Sequence, residues 1–302
     1  MTAPANDSPA ASYAMQGFAA ALTAFIVWGG VTPLYLKQLV HIPMQEIIAQ
    51  RILWSLPFAL LLLVLMDRSG ELRKAMLQPR TVLLACVTAC LITLNWATYV
   101  WAISAHRTVD AALGYYINPL VNILLGVLFL RERLYKAQIV AVVLAVAAVA
   151  LLTVRAGGLP WISLVLAFSF GFYGFIRKTM PVGALQGFTL EILVLSVPAL
   201  GFVLWQLMIG QDYITHAPTL DLGLLMLAGP ITAVPLILYA LGARRLQYST
   251  IGIMQYLSPT LIFLFAVFAF GEPFTTVQFI AFSLIWAGLM IYTWSSFKQS
   301  RA

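Results

Sequence analysis

Three charged residues lie in or at the edge of long apolar runs, and they are the first side chains to consider for chemistry. They are Arg51, Asp110 and Glu191. A charged group costs about 2.5–3.5 kcal/mol at the centre of a membrane helix, so it normally faces a partner or an aqueous path. Arg51 is either a contact for an anion or carboxylate, or it forms a structural ion pair with Glu46 or Asp110. Glu191 is either a proton carrier or a structural partner of a nearby basic residue: Arg177, Lys178, Arg244 or Arg245.

The sequence gives little support to enzyme or metal chemistry. His41, His106 and His216 lie in or beside predicted loops, without the spacing of a zinc site. Neither a nucleophile elbow nor a phosphate-binding glycine loop occurs. Cys86 and Cys90 are four residues apart in an apolar run, which favours packing within a helix over metal binding. The sequence therefore predicts no catalytic residue, no cofactor and no metal.

Composition indicates that these residues are positioned by helices in a bilayer. The chain has 302 residues, of which 62% are hydrophobic and 9% charged, and its mean hydropathy is +0.95. A soluble domain carries roughly 25% charged residues. The net charge of +7 does not require a nucleic acid partner, because Lys and Arg lie between the apolar runs. We therefore predict an all-α integral membrane protein whose surroundings are the lipid bilayer.

The apolar runs predict ten transmembrane helices in two halves, since about 20 residues span the hydrocarbon core. The segments are a disordered cytoplasmic N-terminus (1–16), a five-helix unit (17–155), a second such unit (156–296) and a short cytoplasmic C-terminus (297–302). The first unit contains helices predicted at 17–36, 46–66, 81–104, 110–130 and 137–154. The second contains helices predicted at 159–177, 187–209, 221–242, 249–270 and 275–295.

The distribution of Lys and Arg predicts that both termini are cytoplasmic, because cytoplasmic loops accumulate these residues. With the N-terminus inside, four basic residues fall outside: Lys37, Arg51, Arg107 and Arg155. Thirteen fall on the cytoplasmic side: Arg68, Arg73, Lys74, Arg80, Arg131, Arg133, Lys136, Arg177, Lys178, Arg244, Arg245, Lys298 and Arg301.

The two halves also match each other in sequence, at shifts of 138 to 145 residues. The matched pairs include Trp28 with Tyr173, Gly29 with Gly174, Glu46 with Glu191, Arg107 with Arg245, Gly114 with Gly252, Pro119 with Pro259, Glu132 with Glu272, and Gln138 with Gln278. Because each half has an odd number of helices, the second enters the membrane from the opposite side. The sequence thus predicts an inverted repeat, an arrangement that underlies many secondary transporters.

Six short segments resemble the RarD branch of the EamA-type drug/metabolite transporters. They are Trp28–Gly30, Gln50–Ser55, Leu94–Trp96, Leu113–Leu120, Phe168–Gly174 and Gln255–Thr260. The resemblance covers residues 17–295. It implies ten helices, cytoplasmic termini and a bacterial inner-membrane location.

Two proline positions point to a substrate site near the middle of the membrane. Pro119 and Pro259 each remove a helical hydrogen bond, and this frees the carbonyl four residues earlier, at Tyr115 and Gln255. Interrupted helices at a repeat interface are favoured binding places. Helix packing and interfacial aromatic belts are the alternative interpretation of the polar and aromatic residues nearby. The predicted substrate-binding residues are Trp28, Arg51, Asn95, Trp96, Tyr99, Tyr115, Asn118, Asn122, Tyr173, Tyr239 and Gln255.

The resulting hypothesis is a carrier that exports a small organic metabolite or amphipathic drug by alternating access. If protons drive it, Asp110 and Glu191 are the predicted coupling residues. A passive channel or membrane scaffold, and less so an integral membrane enzyme, are the alternatives. The substrate and the oligomeric state are left open.

Overall fold

The computed structural model describes residues 9–105, 107–158, 161–265, 268 and 275–300, and in these ranges it contains helices and short loops without strands. His106 and Glu272 lie outside them. The elements are α1 (Pro9–Ile26), a π-helical segment (Val27–Val31), α2 (Thr32–Gln38), α3 (Met44–Leu65), α4 (Ser69–Met76), α5 (Pro79–Ser104), α6 (Thr108–Phe129), α7 (Lys136–Arg155), α8 (Trp161–Thr179), α9 (Ala184–Met208), a 3₁₀ turn (Ile214–His216), α10 (Thr219–Arg245), α11 (Tyr248–Gln255), α12 (Leu257–Leu264) and α13 (Thr276–Ser300).

Eight of the described helical segments are long and apolar enough to cross a membrane. They are Ser12–Gln38, Met44–Leu65, Pro79–Tyr99, Asp110–Phe129, Lys136–Arg155, Ala184–Met208, Thr219–Arg245 and Thr276–Ser295. A helix pairs its backbone N–H and C=O groups with one another. This is necessary in hydrocarbon, which offers them no hydrogen-bond partner. The predicted sixth helix (α8) ends in Arg177 and Lys178, and the predicted ninth is divided into α11 and α12 at Tyr256. For these reasons neither helix is among the eight long apolar segments.

Three features differ from the sequence prediction. Helix α1 begins at Pro9, so residues 9–16 are helical rather than disordered. The first predicted helix is interrupted by the π-helical segment Val27–Val31. The short helix α4 was not predicted, because it has polar and charged residues along most of its length and too few apolar ones for a span. The predicted end of the ninth helix lies partly outside the described residues.

The π-helical segment and the broken ninth helix pack directly against each other. A Cβ atom on Gly29 would lie 2.7 Å from the Ser258 carbonyl oxygen, so only glycine permits this approach. The Ser258 hydroxyl donates to the Phe25 carbonyl at 2.9 Å. By contrast, α6 continues as one helix through Pro119. The two prolines thus have different effects on their helices.

The other helices form a bundle around a shared core. Helix α8 packs on α5 and α6, α10 packs on α1 and α3, and α9 packs on α3 and α5. Helix α6 contacts α11, while α7 and α13 pair beside them. This packing places α3, α5, α8 and α10 in the interior.

Contacts between the ends of α10 and neighbouring loops define the two ends of the bundle. At one, here called the His41 end, the His41 ring contacts the Asp221 carboxylate at 2.8 Å, and the Tyr213 hydroxyl donates to the same carboxylate at 2.5 Å. This hydrogen bond raises the pKa of Tyr213 to about 12, so the phenol remains a donor at neutral pH. At the other, called the Arg131 end, Arg244 donates to the Met180 carbonyl at 2.6 Å.

Glu132, which follows α6 at the Arg131 end, caps the N-terminus of α11. Its carboxylate accepts hydrogen bonds from the backbone nitrogens of Tyr248 at 2.5 Å and Ser249 at 2.9 Å. The Ser249 hydroxyl donates to it at 2.7 Å. A carboxylate at this position satisfies otherwise unpaired N–H groups and complements the helix dipole. Glu132 therefore joins the two halves structurally.

We predict that Glu132→Ala lowers the free energy of unfolding by about 1–2 kcal/mol, the usual effect of removing a helix cap. Unfolding of the purified protein in mixed micelles, followed by circular dichroism, measures the change. Arg133→Ala is the matched control, since Arg133 is exposed and adjacent. Equal stability of the two variants would contradict the capping role.

Candidate functional site

Helix α8 places buried polar and aromatic side chains along the bundle axis. Ser163, Ser169, Tyr173 and Arg177 are all buried. Ser169, Tyr173 and Arg177 follow one another at intervals of four residues, which keeps them on one side of a helix with 3.6 residues per turn. Ser163 lies near the His41 end and Arg177 near the Arg131 end. Three side-chain clusters occur between or beside these residues.

The first cluster surrounds the Arg51 guanidinium. Arg51 lies seven residues into α3, about 10 Å along the helix. Its Nε donates to the Thr232 hydroxyl of α10 at 2.9 Å. Its guanidinium carbon lies 4.9 Å from the centroid of the Trp96 ring of α5, within the range of a cation–π interaction.

Three phenols complete this cluster. The charge of Arg51 interacts with the hydroxyl groups of Tyr35, Tyr99 and Tyr115, and the rings of Tyr99 and Tyr115 meet edge to face, with centroids 5.9 Å apart. We call the group the guanidinium box, and its members are Tyr35, Arg51, Trp96, Tyr99, Tyr115 and Thr232.

Neither carboxylate considered as a partner for Arg51 forms an ion pair with it. Glu46 accepts a hydrogen bond from Gln50 at 2.9 Å. Asp110 pairs with Arg107, with nitrogen and oxygen 2.6 Å apart. Among the described residues, no carboxylate lies within 4.0 Å of the Arg51 guanidinium. Within the part of the chain that the structure describes, Arg51 thus has aromatic neighbours and no carboxylate counterion, and its role as an anion contact stays a prediction.

The second cluster consists of three amide side chains, here called the amide cluster. Asn118 donates to the Ala167 carbonyl of α8 at 2.6 Å, and Gln255 donates to the Asn118 side-chain oxygen at 2.5 Å. Asn122 donates to the Gln255 side-chain oxygen at 2.7 Å. The Asn122 oxygen is buried and has no hydrogen-bond partner among the described groups. The cluster ties α6, α8 and the end of α11 together.

Asn95 makes a separate contact with α8. Its amide donates to the Leu166 carbonyl and to the Ser169 hydroxyl, both at 3.0 Å. Because Trp96 follows it on α5, Asn95 fixes the helix that carries the indole of the guanidinium box.

The third cluster is aromatic and joins helices of both halves. The Trp28 ring lies 5.6 Å from Tyr239 and 5.8 Å from Phe170, and Phe170 lies 5.7 Å from Tyr173 (centroid distances). Such distances suit tilted and edge-to-face ring pairs. Phe25 contacts both Trp28 and Tyr239. The aromatic cluster comprises Phe25, Trp28, Phe170, Tyr173 and Tyr239.

Toward the Arg131 end, Arg177 and Glu191 form a buried ion pair. Each side chain is 1–2% exposed, and the nearest nitrogen and oxygen are 3.5 Å apart. Arg177 also donates to the Ala184 carbonyl at 2.6 Å, and Tyr173 donates to Glu191 at 3.2 Å. The structural pairing considered for Glu191 is thus the arrangement found here.

Two open cavities lie at the ends of the bundle. One of about 420 Å³ includes Glu46, Trp205 and Tyr213 in its lining. One of about 220 Å³ includes Glu71 and Gln186, whose side chains hydrogen-bond to each other. No group of side chains suited to a metal ion occurs among the described residues.

The structure gathers most of the predicted site residues but divides them into separate clusters. Asp110 lies apart, with Arg107 at the start of α6. Sequence reasoning missed Tyr35, Thr232 and Phe170, because nothing in the spacing of one apolar helix shows which side chain of another helix will face it. Phe170 lies within Phe168–Gly174, one of the segments that carry the family resemblance.

Comparisons with known proteins agree with this architecture. The EamA-like transporter family matches residues 15–154. An uncharacterized transporter of Pseudomonas aeruginosa is 41% identical over 95% of this chain and 96% of its own. The protein RarD of Streptomyces exfoliatus is 41% identical over 92% and 88%, and RarD of Escherichia coli is 37% identical over 95% and 96%. A crystal structure at 19% identity superposes with a TM-score of 0.70, covering 95% of this chain and 98% of the other, which shows a shared fold.

Apolar helices enclosing paired polar side chains define a multi-pass membrane protein. Its relatives are transporters. The chain belongs to the RarD branch of the EamA-like transporter family.

We predict that Arg177→Met alone lowers the free energy of unfolding by about 3–5 kcal/mol, because it leaves the buried Glu191 carboxylate without its counterion. Adding Glu191→Gln should recover part of that loss, since the neutral amide needs no counterion. Unfolding in mixed micelles of both single variants and the double variant gives the coupling energy. Strictly additive effects would show that the two side chains do not interact.

Proposed function

We propose that this protein is a secondary transporter of the bacterial inner membrane, with ten spans in two inverted repeats, that exports a small organic solute by alternating access. The membership of the EamA-like transporter family supports transport. We propose export as the direction because the sequence resembles the EamA-type drug/metabolite transporters.

Matched residues of the two halves support the inverted repeat. Gln138 and Gln278 each accept a hydrogen bond from the backbone three residues earlier, at 2.9 and 3.0 Å, and so cap α7 and α13 in the same way. Glu46 and Glu191 are both buried, but they lie toward opposite ends of the bundle. Opposite placement of matched residues is what an inverted repeat requires.

Helix packing supports the same symmetry. The contact of α5 with α8 corresponds to that of α10 with α1, and the contact of α6 with α8 corresponds to that of α11 and α12 with α1 and the π-helical segment. Under this proposal α8 and the α11–α12 pair are the two spans that raise the count from eight to ten.

The observation that carries the proposal is that the guanidinium box, the amide cluster and the aromatic cluster draw side chains from both halves. The aromatic cluster combines Trp28 of the first half with Tyr173 and Tyr239 of the second. The amide cluster combines Asn118 with Gln255. Nearby, two interrupted helices abut at Gly29 and Ser258. Interrupted helices around a site shared by two repeats allow it to open to each side in turn.

Alternating access also requires contacts at each end that break in turn. The contacts of Asp221 with His41 and Tyr213 close the His41 end. The hydrogen bonds between Glu71 and Gln186, and between Arg244 and Met180, close the Arg131 end. We propose these contacts as the two gates.

The Arg131 end is proposed to be cytoplasmic, because it carries most of the Lys and Arg residues. In a background in which Cys86 and Cys90 are replaced by alanine, Gln211→Cys should react with an impermeant maleimide added outside spheroplasts. Arg133→Cys, which is also exposed, should react only after permeabilisation. The reverse pattern would overturn the proposed orientation.

We expect purified protein in liposomes to give saturable counterflow of at least one solute from a labelled panel, measured with and without a proton gradient. Counterflow distinguishes a carrier from a channel, because it requires one site that is exposed alternately. Asn118→Ala and Arg51→Ala should each lower the rate at least about tenfold, the effect of removing a hydrogen bond to a charged or buried group. Val143→Ala, at an exposed position on α7, should have no effect. Counterflow unchanged by both site variants would place the site elsewhere, and flux without counterflow would indicate a channel.

A further inference from the structure

The Arg51 guanidinium has hydrogen-bonding capacity that its described neighbours do not use. Its Nε is held by Thr232. Its two terminal nitrogens make no hydrogen bond or ion pair with any residue the structure describes, and the groups that its charge acts on are the phenols of Tyr35, Tyr99 and Tyr115. A guanidinium within a helical bundle is costly unless a partner satisfies it. An anion from outside the protein would use this free hydrogen-bonding capacity.

We propose that the transported solute is an organic monoanion with a carboxylate and a flat apolar body. The carboxylate binds the two terminal nitrogens of Arg51, and the body packs against Trp96, Tyr99 and Tyr115. This inference rests on the proposed function, because it assigns the substrate class of the same site.

The geometry favours a carboxylate over a lone cation or a neutral solute. The guanidinium is planar, and two parallel N–H groups match the two oxygens of a carboxylate. Trp96 lies against the guanidinium and Thr232 holds Nε, so the two terminal nitrogens of Arg51 have a defined orientation. The carboxylates of Glu46 and Asp110 are engaged by Gln50 and Arg107, so the box offers no counterion for a cationic solute.

The walls of the box favour an apolar body over a small inorganic anion. Four of its members present aromatic rings, and one of them, Tyr115, is 39% exposed. Aromatic rings gain little from a hydrated ion but bind flat apolar groups through ring contacts. Arg51 contacts Thr232 of α10 and Trp96 of α5, and its charge also acts on the phenols of Tyr35 on α2 and Tyr115 on α6, so the box lies between helices of the bundle.

Calorimetric titration of the full chain in detergent tests this inference with three probes. They are 3-phenylpropionate, its neutral amide 3-phenylpropanamide, and acetate. We expect the propionate to bind at least about tenfold more tightly than either of the others, since a charge-assisted bidentate pair is strong. Arg51→Gln should abolish the preference of propionate over amide, and Arg51→Lys should retain part of it. Thr232→Val, which releases Nε without removing the charge, should weaken the preference to an intermediate level.

The outcomes separate this inference from the proposed function. Equal binding of propionate and amide, or a preference that Arg51→Gln leaves unchanged in folded protein, would overturn the substrate class, even if the liposomes show counterflow of neutral solutes. A carboxylate preference that depends on Arg51 supports the inference. If that preference exists and no solute of the panel gives counterflow, the anion site stands and the transport proposal fails.

Discussion

The structure depends on one constraint: inside the bilayer there is no water to pair with polar groups, so each needs a protein partner. The consequence is visible in the interhelical contacts. Asn122 donates to Gln255, Gln255 donates to Asn118, and Asn118 donates to the α8 backbone. Arg177 and Glu191 offset each other's charge. These groups both hold the helices together and restrict how they move.

Arg51 stands out against this pattern. Its neighbours orient it but do not neutralise it. Among the described residues, Arg177 has a carboxylate counterion and Arg51 has none within 4.0 Å; under the inference above, a ligand supplies it. The box lies where α3, α5, α6 and α10 meet, so a ligand there would affect the packing of helices from both halves.

The interrupted helices provide a physical basis for such movement. The π-helical segment and the break at Tyr256 each weaken a helix at the point where the two helices touch. The absence of a side chain on Gly29 lets the backbones approach closely. The contacts proposed as gates are hydrogen bonds near loops, whereas the amide cluster between them is buried. Under the proposed alternating access, breaking the contacts at the ends would expose fewer buried polar groups than breaking the amide cluster.

The sequence alone determined the class and most of the helices, because long apolar runs have one stable state in hydrocarbon and their lengths match its thickness. It also identified Arg51, Asn118 and Gln255, since polar groups in such runs are costly, and Trp96 as an aromatic wall of the predicted site. Only the tertiary structure decided which of them meet: Asn118 with Gln255, Arg51 with Thr232 and Trp96, and Glu132 with the start of α11. Side-chain partnership across helices depends on rotation and register, which the apolar pattern of a single helix, nearly uniform around its circumference, does not encode.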